Sequence, residues 1–135
     1  MAQTPRVLVV DDEQLDRGIL CHALRDARSQ VLEASDGFEA ISLIEREDPD
    51  LVFLDLHMER LDGFSVLEHL EATGATCQVV IVSGELNHEL QWRALRLGAV
   101  EFLSKPVSVE QLTTAVLRLT GHADQQEAPR IDGWA

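Results

Sequence analysis

Leu51-Val52-Phe53-Leu54-Asp55-Leu56 is a run of apolar side chains interrupted by a single carboxylate. It follows the turn-forming residues Asp48-Pro49-Asp50, and a short, continuous apolar run of this kind is typical of a central strand buried on both faces. A buried carboxylate raises the free energy of the folded state unless it has a partner or a task. We therefore predict that Asp55 is a nucleophile displayed at the carboxyl edge of a parallel sheet.

The composition is that of one acidic domain with a proper core. The chain has 135 residues, 45% of them hydrophobic, and a net charge of −13, which argues against a protein that follows nucleic-acid phosphates. Cys21 and Cys77 lie inside regular segments and are interpreted as reduced thiols. With no signal-peptide pattern and no apolar run long enough to span a membrane, a soluble cytoplasmic protein is expected. Ten arginines accompany only one lysine, Lys105.

Four further short apolar runs and five amphipathic segments surround residues 51–56. Strands are predicted at about 6–10, 30–33, 51–56, 79–82 and 101–103, and helices at about 14–27, 37–47, 64–73, 87–97 and 109–120. Capping-box pairs, Asp36 with Glu39 and Ser108 with Gln111, mark the starts of two helices. Strands that alternate with helices predict a parallel sheet covered on both faces. The glycine fingerprints of nucleotide-binding loops are absent after the first strand, where acids stand instead.

Two helices carry expectations about their buried faces. The stripe of the first helix expected to face inward comprises Leu15, Ile19, Ala23 and Ala27, widened by Leu20 and Leu24. The fourth helix has two candidate stripes about half a turn apart, Leu90, Ala94 and Leu97 or Trp92, Leu95 and Ala99.

Polar side chains stand at the point where each of four predicted strands ends. They are Asp11 and Asp12 after the first strand, Asp55 after the third, Ser83 after the fourth and Lys105 after the fifth. The carboxyl ends of such strands meet in one crevice. Neighbouring carboxylates raise one another's pKa values, and a hard divalent cation such as Mg²⁺ relieves that repulsion. The lysine can pair with Asp55 or with an arriving anion, so the crevice fits a phosphoryl group.

These residues carry a family resemblance. Asp11-Asp12, Asp55, Ser83-Gly84 and Lys105-Pro106, with their spacings, resemble the receiver domain of two-component response regulators, and Asp62-Gly63, Gly98-Ala99 and Phe102 agree with it. The match covers about residues 5–121, so a receiver domain is predicted over residues 1–121 and a flexible tail or linker over residues 122–135. The resemblance implies a doubly wound (βα)5 fold with a five-stranded parallel sheet of flavodoxin-like order 2-1-3-4-5.

The resemblance implies a phosphorylation chemistry for the site. Asp55 would take a phosphoryl group from a phosphohistidine on a sensor histidine kinase or phosphotransfer protein, with Mg²⁺ as cofactor. Asp12, Asp55 and the backbone carbonyl of His57 would ligate the ion directly, and Asp11 would act through water. Lys105 would bind a phosphoryl oxygen. The bond between Lys105 and Pro106 resembles one held cis in the family.

A switch is implied as well. Ser83 and Gly84 would contact the phosphoryl group, and Phe102 would follow Ser83 inward, which repacks the surface formed by the fourth helix, the fifth strand and the last helix. A downstream protein or effector domain, or a second copy of the chain, would bind that surface. The chain is expected to have no activity beyond its own phosphorylation and dephosphorylation, no direct nucleic-acid contact and no membrane contact.

His57, Glu59 and the fourth helix each carry a further expectation. His57 is expected to tune hydrolysis of the acyl phosphate by hydrogen-bonding or blocking the attacking water. Glu59 stands where the family commonly has a proline, which adds a charge and alters the loop. The family pattern favours Trp92 and Leu95 facing the sheet, which would leave Leu90 and Leu97 partly exposed as a partner or dimer contact.

Two other classes of function are weighed against the phosphorylated switch. A pseudo-receiver would dock a partner without being phosphorylated, and loss of an acid, Asp55 or Lys105 would favour it, but none is lost. A magnesium-dependent aspartyl-phosphate hydrolase usually has an acid two residues after the nucleophile, where this chain has His57. A flavodoxin-like cofactor binder would use aromatic loops, and the chain contains no tyrosine.

Overall fold

Five parallel strands form one sheet in the order β2-β1-β3-β4-β5 in the computed structural model, which describes residues 4–85 and 87–121. The strands are β1 (Arg6–Val10), β2 (Gln30–Ala34), β3 (Leu51–Leu54), β4 (Gln78–Ser83) and β5 (Glu101–Ser104). The predicted fold class and strand order are confirmed. The predicted tail, residues 122–135, lies outside the described residues.

Each strand is followed by a helix. The helices are α1 (Gln14–Asp26), α2 (Gly37–Glu47), α3 (Gly63–Thr73), α4 (His88–Arg96) and α5 (Val109–Leu119). The capping box of α5 is complete, because Ser108 Oγ accepts from the Gln111 N–H while Gln111 Oε1 accepts from the Ser108 N–H. In α2 only half of the predicted box forms. Asp36 accepts from the Glu39 N–H, but the Glu39 carboxylate turns back one residue further, to Ser35.

Two apolar layers sandwich the sheet because successive side chains of a strand point to opposite faces. Val52 and Leu54 of β3 pack into the layer under α2, α3 and α4, whereas Leu51 and Phe53 pack into the layer under α1 and α5. All four are essentially inaccessible to solvent. A strand buried on both faces is therefore correctly predicted from the continuous apolar run. No helix in the described part of the chain combines the length and apolar character needed to cross a bilayer.

The inward face of α1 differs from the prediction. Leu15 and Ile19 are 74% and 60% exposed, and the buried residues of the helix are Leu20, Cys21, Ala23 and Leu24. The predicted stripe was too wide for one helix face, and packing selects the half of it centred on Leu20 and Leu24. Ala27 lies past the end of the helix and is exposed.

The prediction that Trp92 and Leu95 of α4 face the sheet is wrong. Ala94 is buried, and Leu90 and Leu97 pack against the core as partly buried side chains. Trp92 and Leu95 face solvent instead, and the Trp92 ring lies against the Arg96 guanidinium at 4.8 Å. The stripe of Leu90, Ala94 and Leu97 therefore faces the core. The exposed apolar pair on α4 is Trp92 with Leu95.

Candidate functional site

The carboxyl edge of the sheet places Asp55 with little freedom. Its N–H donates to the Val10 carbonyl at 3.0 Å, which extends the pairing of β1 and β3 by one residue beyond the strand. Behind it, Gly63 begins α3 so close that an added Cβ would lie 2.5 Å from the Asp55 carbonyl oxygen. The backbone of Asp55 is thus enclosed between a neighbouring strand and a helix start, and its side chain projects from the sheet edge.

Lys105 joins the strand ends across the crevice. Its N–H donates to the Ser83 carbonyl at 2.9 Å, and the following bond to Pro106 is cis, as predicted. The ammonium lies 2.9 Å from Asp11 Oδ2 and 3.1 Å from Asp55 Oδ2. A third carboxylate, Asp16 Oδ2 on α1, lies 3.1 Å away. The Lys105 ammonium therefore links Asp11 with Asp55, and these three predicted site residues lie together.

The electrostatics follow from this arrangement. Burial is the largest influence on Asp55 and, with the charge of Asp11, raises its pKa against the opposing pull of Lys105 and of the His57 N–H. Burial alone would lower the pKa of Lys105, but the hydrogen bond to Asp11 and the charges of Asp55 and Asp11 outweigh it, so the Lys105 pKa is raised well above its usual range. The lysine is held as a cation, and additional positive charge near Asp55 would favour its ionised form.

Three of the acids can hold a metal ion. One oxygen from each of Asp11, Asp12 and Asp55 lies within 4.8 Å of the other two. Asp11 is buried and its Oδ1 also accepts from the Glu13 N–H, whereas Asp12 is exposed and its Oδ2 accepts from the Glu59 N–H at 3.1 Å. Hard oxygen donors on the solvent side of a sheet edge, with room for waters, suit Mg²⁺. Asp12 and Asp55, the predicted direct ligands, and Asp11, predicted to act through water, all belong to this group, whereas ligation by the His57 carbonyl stays a prediction.

The predicted phosphate contacts lie on the next two strands. Ser83 is fully buried at the end of β4, beside β3, and its Oγ accepts from the Glu85 N–H at 3.2 Å. Gly84 follows it on the exposed side. Phe102 on β5 pairs with Ile81 of β4 and is partly buried against the core. These positions suit the predicted roles of Ser83, Gly84 and Phe102, which stay predictions.

A side-chain contact that the sequence did not reveal crosses the mouth of the crevice. His57 Nε2 lies 2.8 Å from Glu85 Oε1, and this contact links the loop after β3 to the loop after β4. Both side chains are more than half exposed. The His57 N–H meanwhile donates to Asp55 Oδ1 at 3.2 Å. The expected position of His57 beside the site is therefore correct, and its effect on hydrolysis stays a prediction.

Sequence reasoning missed Asp16 and Glu85. The pattern at the strand ends points only to residues that follow strands, whereas Asp16 lies in the first turn of α1 and reaches Lys105 because of the rotation of that helix. The sequence does place the Asp16 carboxylate four residues before Leu20, on the helix face that packs inward, and this spacing could have indicated it. Glu85 had no comparable signal, because its contact with His57 depends on how two loops approach each other.

Comparisons with known proteins agree on one family. A sequence model of the response regulator receiver domain matches residues 7–117. A protein-glutamate methylesterase/protein-glutamine glutaminase of Nitrobacter hamburgensis is 36% identical over 82% of this chain and 30% of its own length. The response regulator MprA of Mycobacterium sp. is 34% identical over 93% of this chain and 56% of its own length. The chain therefore spans about a third to a half of these curated relatives.

A solved structure agrees with this family. The receiver domain of NtrX from Brucella abortus superposes with a TM-score of 0.80 at 33% identity, over 85% of this chain and 98% of that domain.

Proposed function

We propose that this chain, which belongs to the response regulator receiver domain family, accepts a phosphoryl group on Asp55 and acts as a switch. The observation that carries the proposal is the contact of the Lys105 ammonium with Asp55 and Asp11, beside an acid group able to hold a cation. A nucleophile, a fixed cation and metal ligands at one sheet edge are the parts that phosphoryl transfer needs.

The transfer begins with a carboxylate oxygen of Asp55, which forms a bond to phosphorus as the bond from phosphorus to the donor's histidine nitrogen breaks. The electron pair of that bond stays on the nitrogen, and the product is an acyl phosphate. Mg²⁺ held by Asp11, Asp12 and Asp55 would offset negative charge on the phosphoryl oxygens. Lys105 donates to one phosphoryl oxygen, and the Ser83 hydroxyl and Gly84 N–H donate to others. The donor is a sensor histidine kinase or a phosphotransfer protein.

The output of the switch is a changed surface. Ser83 moves toward the phosphoryl group and Phe102 fills the space behind it, so the face formed by α4, β5 and α5 changes shape. This face includes the exposed Trp92 and Leu95. It would contact a downstream protein or effector domain, or a second copy of the chain. We propose no activity for the chain beyond its own phosphorylation and dephosphorylation.

The proposed setting is the cytoplasm. Both cysteines are free, and burial raises the pKa of the Cys21 thiol to about 11, so this thiol is unreactive at neutral pH. Free thiols suit a reducing compartment.

Intact-mass analysis tests the proposal. The protein is incubated with a small acyl-phosphate donor, with and without Mg²⁺, and the gain of one phosphate is expected only with the metal. Asp55→Asn is expected to show no gain. Asp26→Asn, an exposed acid on α1 that pairs with His22, serves as the matched control and is expected to be phosphorylated normally. A wild-type mass that never changes, or an undiminished gain in Asp55→Asn, would refute the proposal, and the former would favour a docking module that is not phosphorylated.

A further inference from the structure

Asp16 is the third carboxylate on the Lys105 ammonium and the only one contributed by a helix. It lies on α1, and its Oδ2 is 3.1 Å from Nζ. Its side chain is 43% exposed, compared with 1% for Asp11 and 9% for Asp55. Asp16 is thus the most solvent-exposed of the three acids that contact the lysine.

The three carboxylates differ in what happens to them when a metal ion binds. Asp11 and Asp55 belong, with Asp12, to the group whose oxygens could hold the ion, and Asp16 lies outside that group. A divalent cation that takes up those oxygens repels the ammonium and weakens its attraction to Asp11 and Asp55. Phosphorylation then removes the charge of the Asp55 carboxylate. Asp16 takes part in neither event, because it lies outside the metal group and is not the phosphoryl acceptor.

Packing alone does not hold Lys105 in place. A cleft of about 260 Å³ opens beside its side chain, and the described residues that line it are Asp16, Ile19, Leu20, Val82, Lys105, Pro106 and Val107. Apart from Asp16 and Lys105 these residues are apolar. A lysine pushed away from the metal therefore has room to turn aside, and Asp16 is the polar side chain of the cleft that can retain its ammonium.

We propose that Asp16 is a positioning residue, which holds the Lys105 ammonium at the phosphoryl site while Mg²⁺ occupies the neighbouring acids. The inference rests on the proposed function, because it assigns a task within the same site. It predicts that Asp16 matters little without the metal and much with it. A residue that merely stabilised the fold would show no such dependence on Mg²⁺.

The single lysine makes a direct test practicable. In protein labelled with ¹⁵N-lysine, the side-chain ammonium signal comes from Lys105 alone. An ammonium fixed by carboxylates exchanges its protons with water more slowly than a free one, so its signal is retained. Without metal, we expect the signal in wild type and in Asp16→Asn. With saturating Mg²⁺, we expect it in wild type, in Asp16→Glu and in the control Asp26→Asn, but not in Asp16→Asn.

The outcomes separate the inference from the function on which it rests. A signal that persists in Mg²⁺-loaded Asp16→Asn, or that disappears from Mg²⁺-loaded wild type, would overturn the role of Asp16. Wild-type amide signals that do not shift with Mg²⁺ would overturn the metal site itself. In the mass assay at saturating Mg²⁺, Asp16→Asn is expected to be phosphorylated about fivefold more slowly. Asp16→Glu should restore most of the rate, and unchanged phosphorylation in Asp16→Asn would also contradict the inference.

Discussion

Replacing Lys105 by methionine removes the cation from the acid cluster while keeping a side chain of similar length. Two of its three partners, Asp11 and Asp55, are buried carboxylates that then face each other without a counter-charge. We expect the metal-free variant to fold but to be markedly less stable than wild type at pH 7.

The size of the loss follows from the burial of the partners. Breaking a buried ion pair by removing one member costs about 3 to 5 kcal/mol. The half-exposed Asp16 adds less than about 1 kcal/mol. Uptake of a proton by one of the abandoned acids limits the damage, so we expect a loss of about 3 kcal/mol at pH 7 and a smaller one at pH 5. Mg²⁺ at about a hundred times its dissociation constant should stabilise the variant by about 2 to 3 kcal/mol. Wild type should gain less at the same Mg²⁺ concentration, because its Lys105 ammonium repels the ion from the acids.

Urea unfolding, with and without Mg²⁺, measures both effects. The midpoint of Lys105→Met should fall in the absence of metal and recover with Mg²⁺, while the slope against urea stays that of wild type. In an Asp55→Asn background the same substitution should cost clearly less, because only one buried carboxylate is abandoned. Where Asp55 is present, an equal loss with and without Mg²⁺ would refute the reasoning, because it would trace the loss to packing of the lysine stem.

Three more perturbations probe the same edge of the sheet. Burial raises the pKa of Asp55, so ionising this residue destabilises the folded state. Metal-free wild type should therefore lose stability relative to Asp55→Asn as the pH rises from about 4 to 7. Thermal melts in chelator that show no such divergence would contradict this prediction. Gly63→Ala would bring a Cβ within 2.5 Å of the Asp55 carbonyl oxygen, and it should lower the free energy of unfolding by about 1 to 3 kcal/mol and slow phosphorylation. Gly18→Ala, with open space around it, should cause no loss of stability. Equal urea midpoints for the two variants would argue against the clash. Glu59→Pro removes the N–H that orients Asp12 and should weaken Mg²⁺ binding about fivefold relative to Glu59→Ala in calorimetry, and equal affinities would exclude that orienting role.

The sheet could be predicted from the sequence because each strand carries its own local signal. In β3 the apolar run is continuous, starts after a proline turn and ends at a carboxylate, so its burial, direction and functional end are fixed together. Most of the site follows from the same signal. Asp11, Asp55 and Lys105 meet because parallel strands bring their carboxyl ends to one edge.

The rotations of α1 and α4 could not be predicted from the sequence. For α1, this concealed Asp16 as a residue of the site. Each helix has more apolar positions than one face can bury, and packing against the rest of the protein decides which of them are covered. The rotation that exposes Leu15 and Ile19 also turns Asp16 toward Lys105. An error about core packing therefore concealed a residue of the site.

The contact between His57 and Glu85 bears on which molecules reach Asp55. The pair spans two loops and is more than half exposed, so it is worth less than about 1 kcal/mol and separates readily. Water solvates both side chains once they part, so their separation adds little to the barrier for a molecule that approaches Asp55. The contact therefore leaves the mouth of the crevice open to small acyl-phosphate donors as well as to proteins.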